Sequence, residues 1–282
     1  MAKLIEQRYG KAQVRVLKIL RDGVVHTIRE VEVLALLAGD FETSYTAGDN
    51  SKVVPTDTIK NTINVFTKQH LVDDLELFAV ILGEHFVKRY EQVARATIEV
   101  TECAWDRLEV AGESHPHAFQ AGSSARKFAR AVCTVGKVTV EAGIRDLVIL
   151  KSTGSGFEGY PTCEYTTLPQ TADRILATSF RATWHFGSAP DSYGEAGEGM
   201  LSAMLKVFAE NFSPSAQTTL FQMGEAALDS CPEISRIDLA MPNKHCLLIN
   251  LVPFGLKNEN EVFVPTEEPF GLIEASVGRG GR

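Results

Sequence analysis

The sequence has few cysteines and no paired cysteine motif, and this shortage excludes two common ways of stabilising a fold. Five cysteines are scattered over 282 residues, and no two of them form a C-x-x-C pair. An odd and dispersed set of this kind suits neither a disulfide framework nor a structural zinc site. We therefore expect reduced thiols and no structural metal.

Runs of one charge and long apolar segments are also missing. The formal net charge is -8 at pH 7 and the lysines and arginines form no basic run, which argues against nucleic acid or an anionic membrane as a partner. No apolar stretch reaches the length of about 20 residues that spans a bilayer, and the first residues lack the apolar run of a signal peptide. The final residues, VGRGGR, do not match a peroxisomal address. The expected location is the cytoplasm.

What the sequence does contain is an order of strands and helices that occurs twice. In the first half, alternating apolar and polar residues on both sides of Asp22-Gly23 predict a β-hairpin. The segments 53–66 and 73–93 have the apolar spacing of amphipathic helices. Strands are then predicted over 96–110 and 127–135.

The second half follows the same plan. Strands are predicted near 138–151 and at 180–186, with a helix between them at TADRILAT, residues 171–178. Two helices over 199–212 and 213–229 come next, and strands over 234–254 and 271–279 end the chain. The repeated order predicts a duplicated α+β unit, divided into domains 1–137 and 138–282.

Two connecting segments are rich in small residues. The segment 151–171, KSTGSGFEGYPTCEYTTLPQT, is too long for a simple connection and contains several aromatic residues, which is typical of a functional loop. The segment 187–199, GSAPDSYGEAGEG, lacks that aromatic density, and we interpret it as a linker.

Two predicted helix starts could bind an anion, because the first N–H groups of a helix are free and carry partial positive charge. They are Thr56-Asp57 and Ala216-Gln217. The ordinary interpretation of the first pair is helix capping. The ordinary interpretation of Gln217 is a surface residue.

Four further polar residues are candidates by position. Arg174 lies at the start of the predicted helix 171–178, and Lys11 lies where a loop enters the first strand; both positions are usually solvent-exposed. Asn243 and His245 lie two residues apart in a predicted strand, so their side chains share one face. An amide and an imidazole on one strand face are unusual in a core and favour a binding site.

Seven blocks of the sequence, taken together, resemble the urate oxidase (uricase) family. They are YGKAQVRV, FETSYTAGDNSKVVPTDTIKNT, HPHAF, LVILKSTGSGFEGY, EYTTLPQTADRILAT, MPNKH and EVFVPTEEPFGLIEASV, in family order along nearly the whole chain. The resemblance implies two tandem T-fold (tunnelling fold) units per chain, each an antiparallel sheet with helices on one face. It also implies a homotetramer around a tunnel, with active sites at subunit interfaces.

The resemblance implies an oxidation of urate by dioxygen to 5-hydroxyisourate and hydrogen peroxide, without a cofactor or metal. Lys11 and Thr56 match the family's catalytic Lys and Thr, and His245 matches the His that completes the proton relay. Asn243 matches the Asn that, with the Thr, holds dioxygen or water. A lysine can act as a base near neutral pH only if its pKa falls from about 10.4.

The resemblance also assigns the groups that bind the purine. Phe157 matches the aromatic residue that stacks on the ring, and Arg174 and Gln217 match the pair that grips its edges. Asp57 and Ala216 match residues whose backbone N–H groups contact the substrate, although several family members have Val where this chain has Ala216. The chemistry suits a urate anion, because Arg offers paired donors in one plane and each charge-assisted bond contributes about 1.5–3 kcal/mol.

A zinc-dependent purine or pterin enzyme of the same fold is one alternative. HPHAF is the only candidate metal pair, but Pro116 disturbs the strand alternation between His115 and His117 and no third ligand has suitable spacing.

A catalytically silent purine-binding T-fold protein is the second alternative. Binding alone would need chiefly Phe157, Arg174 and Gln217. The presence of the remaining matched residues argues against this alternative: Lys11, Thr56, His245 and Asn243.

Overall fold

The computed structural model describes residues 2–72 and 74–280, and the chain divides into two compact units. One unit comprises Met1–Gly143 and His185–Gly197, and the other comprises Ile144–Trp184 and Glu198–Arg282. The predicted α+β class is confirmed. The predicted boundary after residue 137 remains a proposal. The strand Lys137–Lys151 begins at that position and continues past Gly143, where the first segment of the first unit ends.

The first unit is built on a long hairpin followed by helices and further strands. Its elements are β1 (Tyr9–Asp22), β2 (Val25–Gly39), α1 (Glu42–Thr46), α2 (Thr56–His70), α3 (Leu75–Arg89), β3 (Val93–Cys103), β4 (Trp105–Val110), β5 (Glu113–Ala121), β6 (Arg126–Thr134) and the start of β7 (Lys137–Lys151). The strand order is β1-β2-β3-β6-β7, and the pairs β1/β2, β2/β3 and β3/β6 are antiparallel. β4 and β5 form a separate antiparallel hairpin that the sequence did not predict.

The predicted hairpin is confirmed, with its turn shifted by one residue. Asp22 pairs with Val25, so Gly23 and Val24 form a two-residue turn. Gly23 has φ +62°, the left-handed conformation that two-residue hairpin turns require at their first central residue.

Both predicted helices of the first half pack on the sheet. α2 buries Ile59 and Ile63 and lies against β1, while α3 buries Leu75, Phe78, Leu82 and Phe86 against β3 and β6. These are the apolar positions that the helical spacing predicts, and they form the core of the first unit.

The second unit repeats the plan. Its elements are the end of β7, most of β8 (Leu176–Phe186), most of α4 (Tyr193–Glu210), α5 (Ala216–Ser230), β9 (Ile234–Pro242), β10 (His245–Leu248), a 3-10 turn (Val252–Phe254), β11 (Phe263–Thr266) and β12 (Leu272–Gly278). The strand order is β7-β8-β9-β12, and α5 packs on β9 and β12. β10 and β11 form a second small hairpin. The two predicted helices are confirmed, although α4 begins inside the predicted linker, at Tyr193.

The helix predicted over 171–178 is wrong. The backbone of Thr171 and Arg174 is bonded to the loop around Phe157, and β8 begins at Leu176. Leu176, Ala177 and Thr178 are all buried, so this part of the strand is covered on both faces. A strand buried on both faces does not alternate, and its apolar run is easily taken for a helix.

No helix in the described part of the chain is long and apolar enough to cross a bilayer.

The close approach of α3 to β6 at Gly83 leads to a prediction about stability. A Cβ atom on Gly83 would lie 2.6 Å from Cys133 Sγ, so we expect Gly83→Ala to lower the free energy of unfolding by about 1–2 kcal/mol through overpacking. The matched control is Gly199→Ala in α4, where nothing lies within 4 Å of the added Cβ and stability should stay equal or rise by about 0.5–1 kcal/mol. Denaturant titration measures both.

A double variant separates overpacking from other causes. If the contact with the sulfur is responsible, Cys133→Ala should restore most of the stability that Gly83→Ala removes. Strictly additive losses would contradict this explanation.

Candidate functional site

Lys11 projects from β1 beside a β-bulge. The pairing of β1 with β2 shifts between Lys11 and Val14, and Gln13 within the bulge has φ +54°. The preceding Gly10 is needed for close approach, because a Cβ there would lie 1.8 Å from the carbonyl oxygen of Ala35. The bulge and the glycine together set the position of a half-buried Lys11 side chain.

Tyr9 fixes the chain that leads into α2. Its hydroxyl accepts a hydrogen bond from the Val54 N–H at 2.7 Å, and its ring contacts buried Phe41 edge-on at 4.8 Å. Burial raises the pKa of Tyr9, so the phenol stays neutral. Since Tyr9 and Lys11 are two residues apart on one strand, this bond brings the segment just before Thr56 to the Lys11 side of β1.

The N-terminus of α2 is open. Pro55 occupies the N-cap position, no side chain caps the helix, and Thr56 and Asp57 are exposed. The capping interpretation of this pair is therefore wrong. The Asp57 carboxylate instead binds Lys60 and Asn61, and these contacts, chiefly the Lys60 hydrogen bond, lower its pKa, with a smaller contribution from the charge of Lys11. The first N–H groups of α2 remain available to a ligand.

In the second unit, Asp173 holds the loop that precedes Phe157. Its carboxylate accepts hydrogen bonds from the Thr153 hydroxyl at 2.7 Å and the Gly154 N–H at 2.8 Å. The pKa of Asp173 is lowered, above all by the Thr153 hydroxyl. Next to it, the Arg174 N–H donates to the Ser155 carbonyl at 2.6 Å. Because Ser155 is two residues before Phe157, this bond fixes the Arg174 backbone to the Phe157 loop.

Arg174 and Phe157 form the centre of the candidate site. The guanidinium carbon lies 5.2 Å from the centroid of the Phe157 ring. The Arg174 Nε is buried and has no hydrogen-bond partner among the described residues. Partial burial lowers the pKa of Arg174, because desolvation disfavours the charged guanidinium. On the Phe157 side, Tyr160 stacks on the ring at 4.8 Å and 18°. A planar anion would supply the acceptor that Arg174 lacks and an aromatic surface for Phe157.

α5 begins beside the same loop. The side-chain oxygen of its N-cap residue, Ser215, accepts the N–H of Thr218, so it caps neither the N–H of Ala216 nor that of Gln217. Ala216 is buried and Gln217 is exposed. The Gly156 N–H donates to the Ser213 carbonyl at 2.8 Å, which joins the start of α5 to the Phe157 loop.

Asn243 and His245 are neighbours, but not in one continuous strand. β9 ends at Pro242 and β10 begins at His245, so the strand predicted over 234–254 is interrupted. The Asn243 side-chain nitrogen nevertheless lies 3.3 Å from His245 Nδ1. Asn243 also bridges to Thr178 of β8, which brings the pair close to the strand that follows Arg174.

The predicted site residues divide between the two units. Lys11, Thr56 and Asp57 lie in the first unit, and Phe157, Arg174, Ala216, Gln217, Asn243 and His245 lie in the second.

Three residues that hold the segments beside the predicted site residues were not predicted from the sequence: Tyr9, Asp173 and Ser213. Only Asp173 offered a signal, since an aspartate beside Arg174 could serve a Gly-rich loop.

The two histidines of HPHAF lie on β5 with their ring centroids 4.6 Å apart. Within residues 2–72 and 74–280, no group of three or more His, Cys, Asp or Glu side chains is arranged to hold a metal ion.

Comparison with known proteins identifies close relatives of this architecture. A sequence model described as Uricase matches residues 7–131 and 140–274. The uricase of Arthrobacter globiformis is 40% identical over 276 residues, covering 98% of this chain and 90% of that protein. The uricase of Emericella nidulans is 40% identical over 296 residues, covering 99% and 98%. The crystal structure of the Arthrobacter globiformis uricase superposes with a TM-score of 0.94, at 39% identity, over 100% of this chain and 96% of that chain. The family resemblance and the predicted tandem T-fold are confirmed.

The contact of Tyr9 with Val54 can be tested directly. Tyr9→Phe removes the only acceptor described for the buried Val54 N–H, which should cost about 1–3 kcal/mol and speed amide hydrogen exchange at Val54. Tyr45→Phe, at a half-exposed tyrosine of the same unit, is the matched control. Unchanged exchange at Val54 would show that the hydroxyl does not hold this segment.

Proposed function

Because this chain belongs to the uricase family, we propose that it oxidises urate with dioxygen to 5-hydroxyisourate and hydrogen peroxide, without a cofactor. The reaction balances as urate plus O₂ plus water giving 5-hydroxyisourate plus H₂O₂. Urate loses two electrons, dioxygen gains them, and water supplies the new hydroxyl group.

The observation that carries this proposal is the unsatisfied Arg174 beside Phe157. The buried Nε of Arg174, which has no acceptor among the described residues, needs one in the plane of the guanidinium, and a ring 5.2 Å away favours a flat ligand. A urate anion meets both requirements. Gln217, at the start of α5, offers a donor and an acceptor for the opposite edge, and the Ala216 N–H adds a backbone donor.

The catalytic roles follow from the residue chemistry. In this proposal Lys11 and Thr56 move the proton released by urate, and His245 completes the relay. Asn243 and Thr56 hold dioxygen or water above the ring. Contacts that support the relay are the 3.3 Å approach of Asn243 to His245 and the electrostatic influence of Lys11 at the first turn of α2. The Asp57 N–H, at the open end of that helix, would donate to the substrate.

A second copy of the chain completes the site in this proposal, and the assembly is a homotetramer. The region around β10 and β11 supports association, because its apolar side chains are exposed in the single chain. Those at least about half exposed are Leu247, Leu248, Val252, Phe254, Leu256 and Leu272. We propose that Lys11 and Thr56 of one subunit face Arg174, Gln217, Asn243 and His245 of its neighbour.

A direct assay tests the function. Purified protein, exhaustively treated with EDTA and given no flavin, should remove the near-ultraviolet absorbance of urate and form about one peroxide per urate. Activity that disappears with the chelator and returns with one metal would contradict a cofactor-free reaction. Urate binding without turnover would instead support the catalytically silent purine-binding alternative.

Substitutions separate catalysis from binding. Lys11→Ala should lower kcat by about 100-fold or more with little change in affinity, since a proton-transfer group acts in the transition state. Arg174→Ala should raise KM by about 10- to 100-fold, since it removes charge-assisted bonds. Lys257→Ala and Arg126→Ala, at exposed positions, are the matched controls. Unchanged kcat and KM in both site variants would overturn the assignment.

The same two variants test shared sites. When Lys11→Ala and Arg174→Ala chains are co-expressed, a mixed pair holds one site with both lesions and one with none. Random assembly should leave about a quarter of all sites intact. Mixed oligomers, verified by mass spectrometry, that are as inactive as their parents would mean that each chain forms its site alone.

A further inference from the structure

Ser213 lies between the two segments that carry the substrate-edge groups. It is fully buried, and its backbone pairs with the loop of Phe157 and Arg174 on both sides. The Ser213 N–H donates to the Gly154 carbonyl at 2.8 Å, and the Ser213 carbonyl accepts the Gly156 N–H at 2.8 Å. The loop is therefore tied to the residue that stands two positions before the N-cap of α5.

The Ser213 hydroxyl makes the connection to the helix itself. It donates to the Ser215 carbonyl at 3.1 Å and accepts the hydroxyl of Thr219 at 2.5 Å. Thr219, in the first turn of α5, is 1% exposed, and its hydroxyl also lies 3.3 Å from the Ser215 carbonyl. These hydroxyls are shielded from water and form one hydrogen-bonded cluster with the Ser215 carbonyl, in which the shortest bond joins the two hydroxyls.

A neighbouring serine lacks these contacts. Ser155 bridges to Ser213 and is equally buried, but its hydroxyl has no partner among the described residues. Ser155 and Ser213 are thus equally buried, but of the two only the Ser213 hydroxyl bonds to residues at the start of α5.

We propose that Ser213 and Thr219 are positioning residues that set the spacing between Arg174 and Gln217. This inference rests on the proposed function. Arg174 and Gln217 must meet opposite edges of one rigid planar ligand, and a displacement of about 1 Å can reduce binding and turnover strongly. Ser213 connects the Phe157 loop to α5, so the hydrogen bond between the Ser213 and Thr219 hydroxyls controls the distance from Arg174 to Gln217.

The test compares two serines and one threonine by steady-state kinetics and by calorimetric binding of xanthine, a purine dione that lacks the 8-oxo group. Ser213→Ala should raise the KM for urate and the Kd for xanthine by about tenfold, with a change in kcat of less than about threefold. Ser155→Ala should change both constants by less than about twofold. Thr219→Val, which keeps the side-chain shape, should reproduce Ser213→Ala, and Thr219→Ser should restore the wild-type constants.

The outcomes are distinguishable. Ser213→Ala and Thr219→Val that lower the melting temperature but leave KM and Kd unchanged would make the pair merely structural and overturn the inference. Gly83→Ala, for which a loss of stability in the first unit is predicted, serves as the control for the effect of stability alone on KM. A wild-type protein that neither oxidises urate nor binds xanthine would refute the proposed function instead.

Discussion

The candidate site depends on a constraint of helix geometry, which is that the first N–H groups of a helix find no acceptor within it. α2 begins at Thr56 without a side-chain cap, and in α5 only the N–H of Thr218 is capped. Each unit therefore presents backbone donors and partial positive charge where its strands and helices meet. In the second unit, the partly buried Arg174 adds a full positive charge to the loop that Ser213 joins to α5.

Such donors are useful only if the loops beside them are held in place. In the first unit Tyr9 performs this task for the segment before Thr56. In the second, Asp173 closes the loop from 153 to 155, and Ser213 joins that loop to α5. None of these residues needs to touch a substrate. Their hydrogen bonds remove loop freedom before a ligand arrives, so less ordering entropy is lost on binding.

The errors in the sequence analysis have identifiable causes. The segment 171–178 was assigned to a helix because β8 starts with residues buried on both faces, which hides the alternation of a strand. The predicted strands over 96–110 and 234–254 each merge two observed strands, and β5 and β11 are missing from the prediction, because short hairpins carry a weak periodic signal. Asn243 and His245 were nevertheless correctly expected to lie together, since a spacing of two keeps neighbours close even where the strand is interrupted.

The sequence by itself determined the local elements and the chemical inventory. Hairpin alternation, the apolar faces of α2 and α3, and the residue types of the site depend on neighbours within a few positions, and so they can be read along the chain. Only the tertiary structure decided that α2 begins without a side-chain cap and that Arg174 Nε is buried with no partner among the described residues. It also decided that Ser213 joins Gly154 and Gly156 to α5. Those features arise from hydrogen bonds and desolvation between segments far apart in sequence, and no local pattern encodes which distant groups will meet.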